Sequence, residues 1–333
     1  MPPPLEFGPP ELRLDAFMAR ANAAYYANHD PFQDFTTSPE IAQVFGELLG
    51  LWAAVTWRQI GAPAQVKLVE AGPGRGTLMR DALRAASRVA PDFHAACDVH
   101  FIETSPRLRE SQAALVPGAH WHDALDNVPD GPALVLANEF LDALPIRQFE
   151  RSGGVWSERF VAHGRWVLRP AVIAGTPEDG TVTERCEAAC AWTAALAVRL
   201  ARQGGAALIL DYGPARSAYG DSLQALRFGK PADPLQAAGE ADLTAHVDFQ
   251  AIAEAARAAG AASWGPITQG QFLNRLGLAQ RTRRLAEANP ARATELMQAA
   301  ERLGAPSRMG ELFKALAITQ AGTEPPPGFE GLT

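Results

Sequence analysis

Residues Val66 to Leu83, VKLVEAGPGRGTLMRDAL, constrain this chain more than any other stretch. Val66, Leu68 and Val69 read as a buried strand that ends on an acid, Glu70. Glycines follow at alternate positions, Gly72, Gly74 and Gly76, and a helical run opens at about Thr77. Alternate glycines let the backbone turn tightly and leave bare peptide groups against which a flat, polar ligand can lie. The helix start aims unpaired N–H groups and the positive end of its dipole at the same place. Strand, glycine turn and helix in this order place a nucleotide-type site at the carboxyl edge of a first parallel strand.

The spacing narrows the nucleotide. A phosphate-cradling Walker loop needs Gly-Lys-Ser/Thr after four spacer residues, but here Arg75 is followed by Gly76 and Thr77 with no lysine nearby. The dinucleotide fingerprint G-x-G-x-x-G carries an acid about 20 residues on. Here the pattern is E-x-G-x-G-x-G, and the next acid at a strand end, Glu103 in VHFIETSP, lies beyond that distance. An acid before the glycines and a second acid ending strand two suit S-adenosylmethionine (SAM). Glu70 would sit near its methionine end and Glu103 would take the two ribose hydroxyls. An ordinary strand-to-helix turn with a buried glycine cluster is the competing reading, and Glu103 weighs against it.

Composition sets the class. The chain has 333 residues, 47% of them hydrophobic, with no apolar run long enough to cross a bilayer. Its start, MPPPLEFGPPELRLDAF, has neither a basic and then apolar leader nor an Arg/Ser-rich transit pattern, which predicts a cytoplasmic protein. A net charge of −7 argues against a general nucleic-acid binder. Cys97, Cys186 and Cys190 are too few and too oddly spaced for a disulfide scaffold or a zinc site, so no metal centre is expected. Cys186 and Cys190, four apart in an alanine-rich pattern, read as buried apolar groups.

Strand-like and helix-like runs alternate, as in a doubly wound α/β sheet. Leu12 to Asn28 and Ser38 to Gln59 read as helices, the second opened by Ser38 as cap and Pro39 at the first helical position. Strands are expected at Val99–Glu103, Ala119–His122, Ala133–Ala137 and Ala206–Asp211. Val155–Val161 and Trp166–Ile173 read as an inserted hairpin turning at His163-Gly164, followed by a helix over Glu184–Gln203. Gly213 to Ala241 is polar and rich in glycine and proline, and is expected to be ordered only by a ligand or partner. A helix over Asp248–Ala259, a strand from Ser263, a helical insertion from Gln271 to Leu303 and a last strand, Phe313–Ile318, complete the chain. The expected division is an N-terminal helical segment, 1–60, capping the cofactor site. Residues 61–333 would form the core, with substrate-side insertions at about 150–203 and 270–304.

LVEAGPGRGTLMRDALR, ANEFLDALPIRQF, LILDYG, ADLTAHVDF and LFKALAI occur in this order, with TTSPEIAQVFGELLG near the start. On these blocks, from roughly Tyr25 to Phe329, the chain resembles the MidA-type methyltransferases. That family includes the mitochondrial arginine methyltransferase that assists respiratory complex I assembly. The resemblance implies a class I SAM-methyltransferase (Rossmann-like) fold with an antiparallel C-terminal edge strand. It also implies methyl transfer to a protein arginine, since the mitochondrial relative symmetrically dimethylates an arginine of a complex I quinone-module subunit. Without a transit pattern this chain is similar to a bacterial member.

The chemistry is expected in NEFLDALPIRQF, after the fourth strand, where Asn138, Glu139 and Asp142 put an amide and two acids at one strand end. A carboxylate pairing with a guanidinium can fix its approach to a sulfonium methyl and hold charge away from the attacking nitrogen. Arginine methyltransferases of other families use a glutamate loop here, so Glu139 takes that role by analogy. Alternatively Glu139 and Asp142 cap a helix beginning at Leu141 and ended near Pro145.

Ser38 in Thr37-Ser38-Pro39-Glu40 is a helix start on sequence physics alone, and as part of a family block it can also close over SAM. Asp123 would bind the adenine amino group or be a solvated loop acid. Tyr212, after Asp211, would line the substrate side or pack as a ring. Asp242, Thr244, His246 and Asp248 alternate along an extended segment, where Asp242 and His246 would bind substrate; a single histidine is too little for a metal. Acidic walls from Asp242 and Asp248 with Tyr212 would draw in a cationic side chain. A small-molecule or lipid methyltransferase, and a SAM-binding assembly chaperone with little turnover, are the other function classes.

Overall fold

The computed structural model describes residues 11–29, 32 and 36–331. Residues 1–10 of the expected N-terminal segment, and the leader reading that rests on them, lie outside the described residues. The chain divides into two compact units: Met1–Phe35 with Leu141–Ala191 and Arg216–Asp248, and Thr36–Phe140 with Trp192–Ala215 and Phe249–Thr333. The segment expected to cap the cofactor site is therefore shared between them.

The larger unit carries a seven-stranded sheet. Its strands are β1 (Val66–Ala71), β2 (Cys97–Ile102), β3 (His120–His122), β4 (Ala133–Asn138), β5 (Gly205–Tyr212), β6 (Ala261–Thr268) and β7 (Phe313–Gln320). Their order is β6-β7-β5-β4-β1-β2-β3. β1 to β5 are mutually parallel, and β7 runs antiparallel to both β5 and β6. The antiparallel C-terminal strand is present at the expected end of the sheet, one place in from the edge. The crossover through the helix Phe249–Ala258 sets β6 one strand-width beyond β5, and β7 fills the gap. Strand order reverses between β1 and β4, so the carboxyl ends of these two strands frame the crevice in which such sheets bind ligands.

Helix α1 (Ser38–Ile41) and helix α2 (Gln43–Gln59) replace the single helix expected over 38–59. Ala42 breaks it with extended backbone, φ −157° and ψ 135°. The break frees α1 to turn toward the site, and Thr37, without a side-chain cap bond, takes the position expected for Ser38. α2 lies on α3 (Thr77–Val89) at near-backbone contact. A Cβ on Gly46 would stand 2.8 Å from Asp81 Cβ, and one on Gly50 would stand 2.6 Å from Ala82 Cα. Phe45, Leu48, Leu49 and Trp52 of α2 join Leu68, Phe101, Leu134, Leu136 and Leu208 of the sheet in one core.

Three helices between β6 and β7 form the expected insertion: α4 (Gln269–Arg275), α5 (Leu278–Ala288) and α6 (Ala293–Gly304). Glu47, 1% exposed, ties this insertion to α2 and α3 by accepting Arg281 at 2.7 Å and pairing with Arg84 at 3.1 Å. Removing one member of such a buried set costs about 3–5 kcal/mol, because the remaining charge is left unpaired in a dry site.

The smaller unit has a five-stranded antiparallel sheet. The expected hairpin is there as Val155–Ala162 and Arg165–Ala171, joined by Arg147–Ser152, Val182–Arg185 and the short Leu12–Arg13. RQFERS was hidden as a strand by its charges, which pair across the sheet: Arg147 with Glu158 at 2.6 Å and Arg159 with Glu150 at 3.0 Å. The stretch expected to need a ligand for its order has structure of its own. Gln224–Arg227, Lys230–Ala232 and Asp242–Thr244 make a three-stranded sheet. Ala225 and Leu243 of this sheet, with Ala237 of the connecting stretch, share a core with Phe17 and Met18 of the helix Leu14–Asn28.

Cys186 and Cys190 are only half-buried, and Cys186 precedes the helix Glu187–Gln203, where its sulfur accepts the Ala189 N–H. Burial pushes the Cys186 and Cys97 thiols up to about 12, so both stay protonated and inert.

Candidate active site at the carboxyl ends of β1, β2 and β4

The glycine loop closes as its sequence requires. Gly72, Gly74 and Gly76 all have left-handed φ, at 62°, 55° and 86°. Gly76 caps α3, whose first residue is Thr77. Gly72 has a second reason to lack a side chain: a Cβ there would stand 2.9 Å from the Phe140 ring. Phe140 follows the catalytic candidate Glu139, so the loop and the block after β4 meet at this glycine. Thr77 donates its hydroxyl to Glu40 of α1 at 2.5 Å.

Glu70 is 3% exposed at the end of β1. Burial holds its carboxyl well above the usual carboxylate range, against the pull of the Met79 N–H. Its Oε2 is buried with no hydrogen-bond partner among the described residues, and so is Asn138 Oδ1 at the end of β4. Buried acceptors are rarely left unpaired, and each costs about 1–3 kcal/mol when they are. Two of them at adjacent strand ends fit a ligand that brings hydrogen-bond donors.

Glu103 follows β2. Its carboxylate accepts the Ser105 N–H at 2.7 Å and Gln112 Nε2 at 3.3 Å, and burial raises its pKa in spite of them. Gln112 organises this side of the site. Fully buried, it also donates to the Gly74 carbonyl at 2.7 Å and accepts the Trp121 indole N–H at 2.7 Å. Arg109 donates to the Glu103 carbonyl and pairs with Asp123 at 2.5 Å. The Asp123 side chain is 77% exposed, so its contact here is with arginine and solvent. Sequence reading missed Gln112 and Arg109, because one polar residue in each turn of a short amphipathic helix carries no signal of its own.

Glu139 is the most constrained acid of the set. Its backbone is left-handed, φ 50°, which costs an L-residue on the order of 1–2 kcal/mol. Its N–H donates to the Leu210 carbonyl at 2.9 Å, anchoring it to β5. Its carboxylate accepts the Ser38 N–H at 2.8 Å and Asn138 Nδ2 at 3.1 Å. Desolvation raises its pKa, offset in part by these bonds and by the Arg302 guanidinium. No helix begins at Leu141; residues 141–144 make an isolated turn closed by the Leu144 N–H on the Leu141 carbonyl, because β4 ends at Asn138 and its chain leaves through a strained corner. The helix-cap alternative for Glu139 therefore has no helix to cap. Asp211, 1% exposed, accepts the Phe140 N–H at 3.1 Å, and the Tyr212 ring packs on Phe313 at 5.4 Å.

Asp142, Asp242 and His246 belong to the smaller unit. Asp142 is buried, and its carbonyl accepts the Ala245 N–H at 3.0 Å. Asp242 accepts the Tyr26 hydroxyl at 2.7 Å, and Asn22 bonds both the Ala143 and Leu243 carbonyls. Asp242 and Thr244 are both buried, and so are Leu243 and Ala245, so the expected wet face of this segment is absent. His246 is exposed, and its backbone N–H donates to Ser222 Oγ at 2.8 Å. No cluster of metal-ligating side chains occurs among the described residues, and none of their helices is long and apolar enough to cross a membrane.

Residues 48–267 match the model of a family described as "Putative S-adenosyl-L-methionine-dependent methyltransferase". This chain belongs to that family. A Drosophila melanogaster relative, named "Protein arginine methyltransferase NDUFAF7 homolog, mitochondrial", is 37% identical over 90% of this chain and 79% of its own length. The human protein named "Protein arginine methyltransferase NDUFAF7, mitochondrial" is 34% identical over 86% of this chain and 73% of its own. A Burkholderia thailandensis protein crystallised with S-adenosylhomocysteine superposes with a TM-score of 0.80 at 25% identity, covering 97% of this chain and 91% of that one. The chain is thus a SAM-dependent methyltransferase, and its fold is the class I arrangement read from its sequence.

Proposed function

We propose that this methyltransferase acts on an arginine side chain of a protein. The observation that carries the proposal is the seat of Glu139: a carboxylate fixed by Ser38 and Asn138 on a left-handed backbone at the strand end that faces the crevice. A residue is held in such a conformation at an energetic cost when its position matters. The names of the arginine-methylating relatives support the same acceptor.

The glycine loop with Thr77, Glu70 and Glu103 would hold SAM, Asp123 would stand at its adenine end, and Ser38 would close over it. Bound there, SAM supplies an electrophilic methyl group on a sulfonium. Glu139 orients the guanidinium through paired charge-assisted hydrogen bonds, so that one nitrogen stands in line with the methyl. The methylated guanidinium would have a proton to shed, and the Glu139 carboxylate, whose pKa burial raises, would take it. Tyr212 is assigned to the acceptor side. The acceptor protein proposed from the family resemblance is a quinone-module subunit of respiratory complex I. None of the three cysteines is in a disulfide, which accords with a reducing, cytoplasmic location.

Mass spectrometry of matched proteomes with and without the gene tests this reading. A methylarginine peptide that disappears with the gene, and whose Arg→Lys variant is not methylated by purified protein and SAM, is the expected result. Methyl transfer to small molecules with no methylarginine lost would overturn it.

A further inference from the structure

Beyond α6 the chain passes through a wide helical turn, Pro306–Gly310, before entering β7. Glycines pin this turn: a Cβ on either Gly270 or Gly310 would run into the Gly304 carbonyl oxygen. Arg308 leaves helical geometry inside it, at φ −124° and ψ −131°. The turn and the last turns of α6 border an open surface cavity of about 540 Å³ lined by Gln298, Glu301, Arg302, Arg308, Met309 and Leu312, all but Met309 exposed.

Three contacts place this cavity beside the reacting end of the site. The Leu312 carbonyl accepts the Gly213 N–H at 3.3 Å, and Phe313 packs on Tyr212. α6 also packs on α1, the turn whose Ser38 holds the Glu139 carboxylate. The charge of Arg302 is felt at Glu139 itself.

The lining carries two guanidiniums and one carboxylate. Neither Arg302 nor Arg308 makes an ion pair among the described residues, whereas Arg84 and Arg281 are committed to buried Glu47. Cations at this place repel an incoming arginine, so they cannot be the seat of the acceptor guanidinium. They become an aid to binding only when the substrate brings a negative charge beside its arginine. Arginine forks bind carboxylates in two-point geometry, and Met309 and Leu312 offer apolar surface for the methylenes that precede the carboxylate.

We propose that this cavity is a specificity subsite that receives an aspartate or glutamate side chain lying within a few residues of the methylated arginine. The inference rests on the arginine-acceptor reading and refines it: the substrate is an arginine-containing segment with an acidic neighbour.

The test uses fluorescent peptides of about twelve residues with one central arginine and either Glu, Gln or Lys at each nearby offset in turn. Their binding to the full chain saturated with S-adenosylhomocysteine is read by anisotropy, and methyl transfer with SAM is read in parallel. At the favoured offset the Glu peptide should bind about 3- to 10-fold more tightly than its Gln counterpart, as expected for a partly exposed charge-assisted pair. Arg308→Glu should reverse the preference toward the Lys peptide, and Arg302→Gln should weaken it. A Glu peptide no tighter than Gln at every offset, or a preference that survives both substitutions, overturns the subsite. Charge-dependent binding without methyl transfer to any arginine would leave the subsite and remove the arginine acceptor. Methylarginine formation without charge preference would do the reverse.

Discussion

Glu139→Gln separates a carboxylate that does chemistry from one that only holds a loop. The substitution keeps side-chain length, the left-handed backbone and the anchor from its N–H to Leu210. Both bonds to the carboxylate end on Oε1, so Gln Oε1 can still accept the Ser38 N–H and Asn138 Nδ2, each now to a neutral acceptor. The folding cost is therefore that of about one weakened hydrogen bond, 0.5–1.5 kcal/mol. What is lost is the negative charge beside a cation that must be oriented and deprotonated. Preorganised groups of this kind contribute about 2.7–4 kcal/mol, or 10²–10³ in rate. Purified wild type and variant, assayed for S-adenosylhomocysteine release with an arginine acceptor, should then differ by about that factor in kcat. SAM affinity by calorimetry should agree within about threefold, since charge matters most as the nitrogen attacks. Equal turnover in the two proteins would refute the argument and leave Glu139 as a clasp for Ser38.

Gly74→Val forces a β-branched residue to a φ of 55° beside the ligand and should abolish SAM binding, read as loss of calorimetric heat in protein that still melts cooperatively. Glu103→Ala should weaken SAM by about 1.5–3 kcal/mol through loss of charge-assisted bonds to the ribose, and unchanged affinity would unseat it. Glu70→Gln should alter the pH dependence of stability in protein without SAM. A carboxyl whose folded pKa is raised stabilises the fold below the ordinary carboxylate range, and that contribution is lost as pH rises through the folded value. Gln cannot ionise, so the melting temperature of the variant should gain on wild type as pH rises from about 4 toward neutrality, and parallel curves would contradict the assignment.

Much of this was legible because the relevant signals are local. The alternate glycines of 72–76 require left-handed backbone, and all three have it. The order of apolar runs and glycine punctuation located all seven strands of the large sheet to within a few residues. What was illegible depends on distant partners. The break at Ala42 follows from the pull of Glu139 and Thr77 on α1, residues far away in sequence. The strand RQFERS alternates charges whose partners lie on another strand, so no apolar period marks it. Gln112 links Gly74, Glu103 and Trp121 only because α3 and the helix Pro106–Leu115 converge. The small sheet within 224–244 is built from alanines and one leucine packed on a helix more than 200 residues earlier.

Two kinds of departure from local rules meet at the carboxyl ends of β1 and β4. Strand ends in a parallel sheet are expected to hand their chain to a helix through an unstrained loop, yet β4 hands its chain to Glu139 at φ 50°. Buried acceptors are expected to be paired, yet Glu70 Oε2 and Asn138 Oδ1 are not. The polar side chains packed around these strand ends are well partnered: Glu47 has two arginines, Gln112 has three partners and Asp211 accepts two N–H groups. Glu70 and Asn138 stand out because both are acceptors on adjacent parallel strand ends, where one ligand carrying donors could serve them together. The strain at Glu139 and the unpaired acceptors of Glu70 and Asn138 agree with the glycine motif, and their coincidence at neighbouring strand ends points to the crevice between β1 and β4.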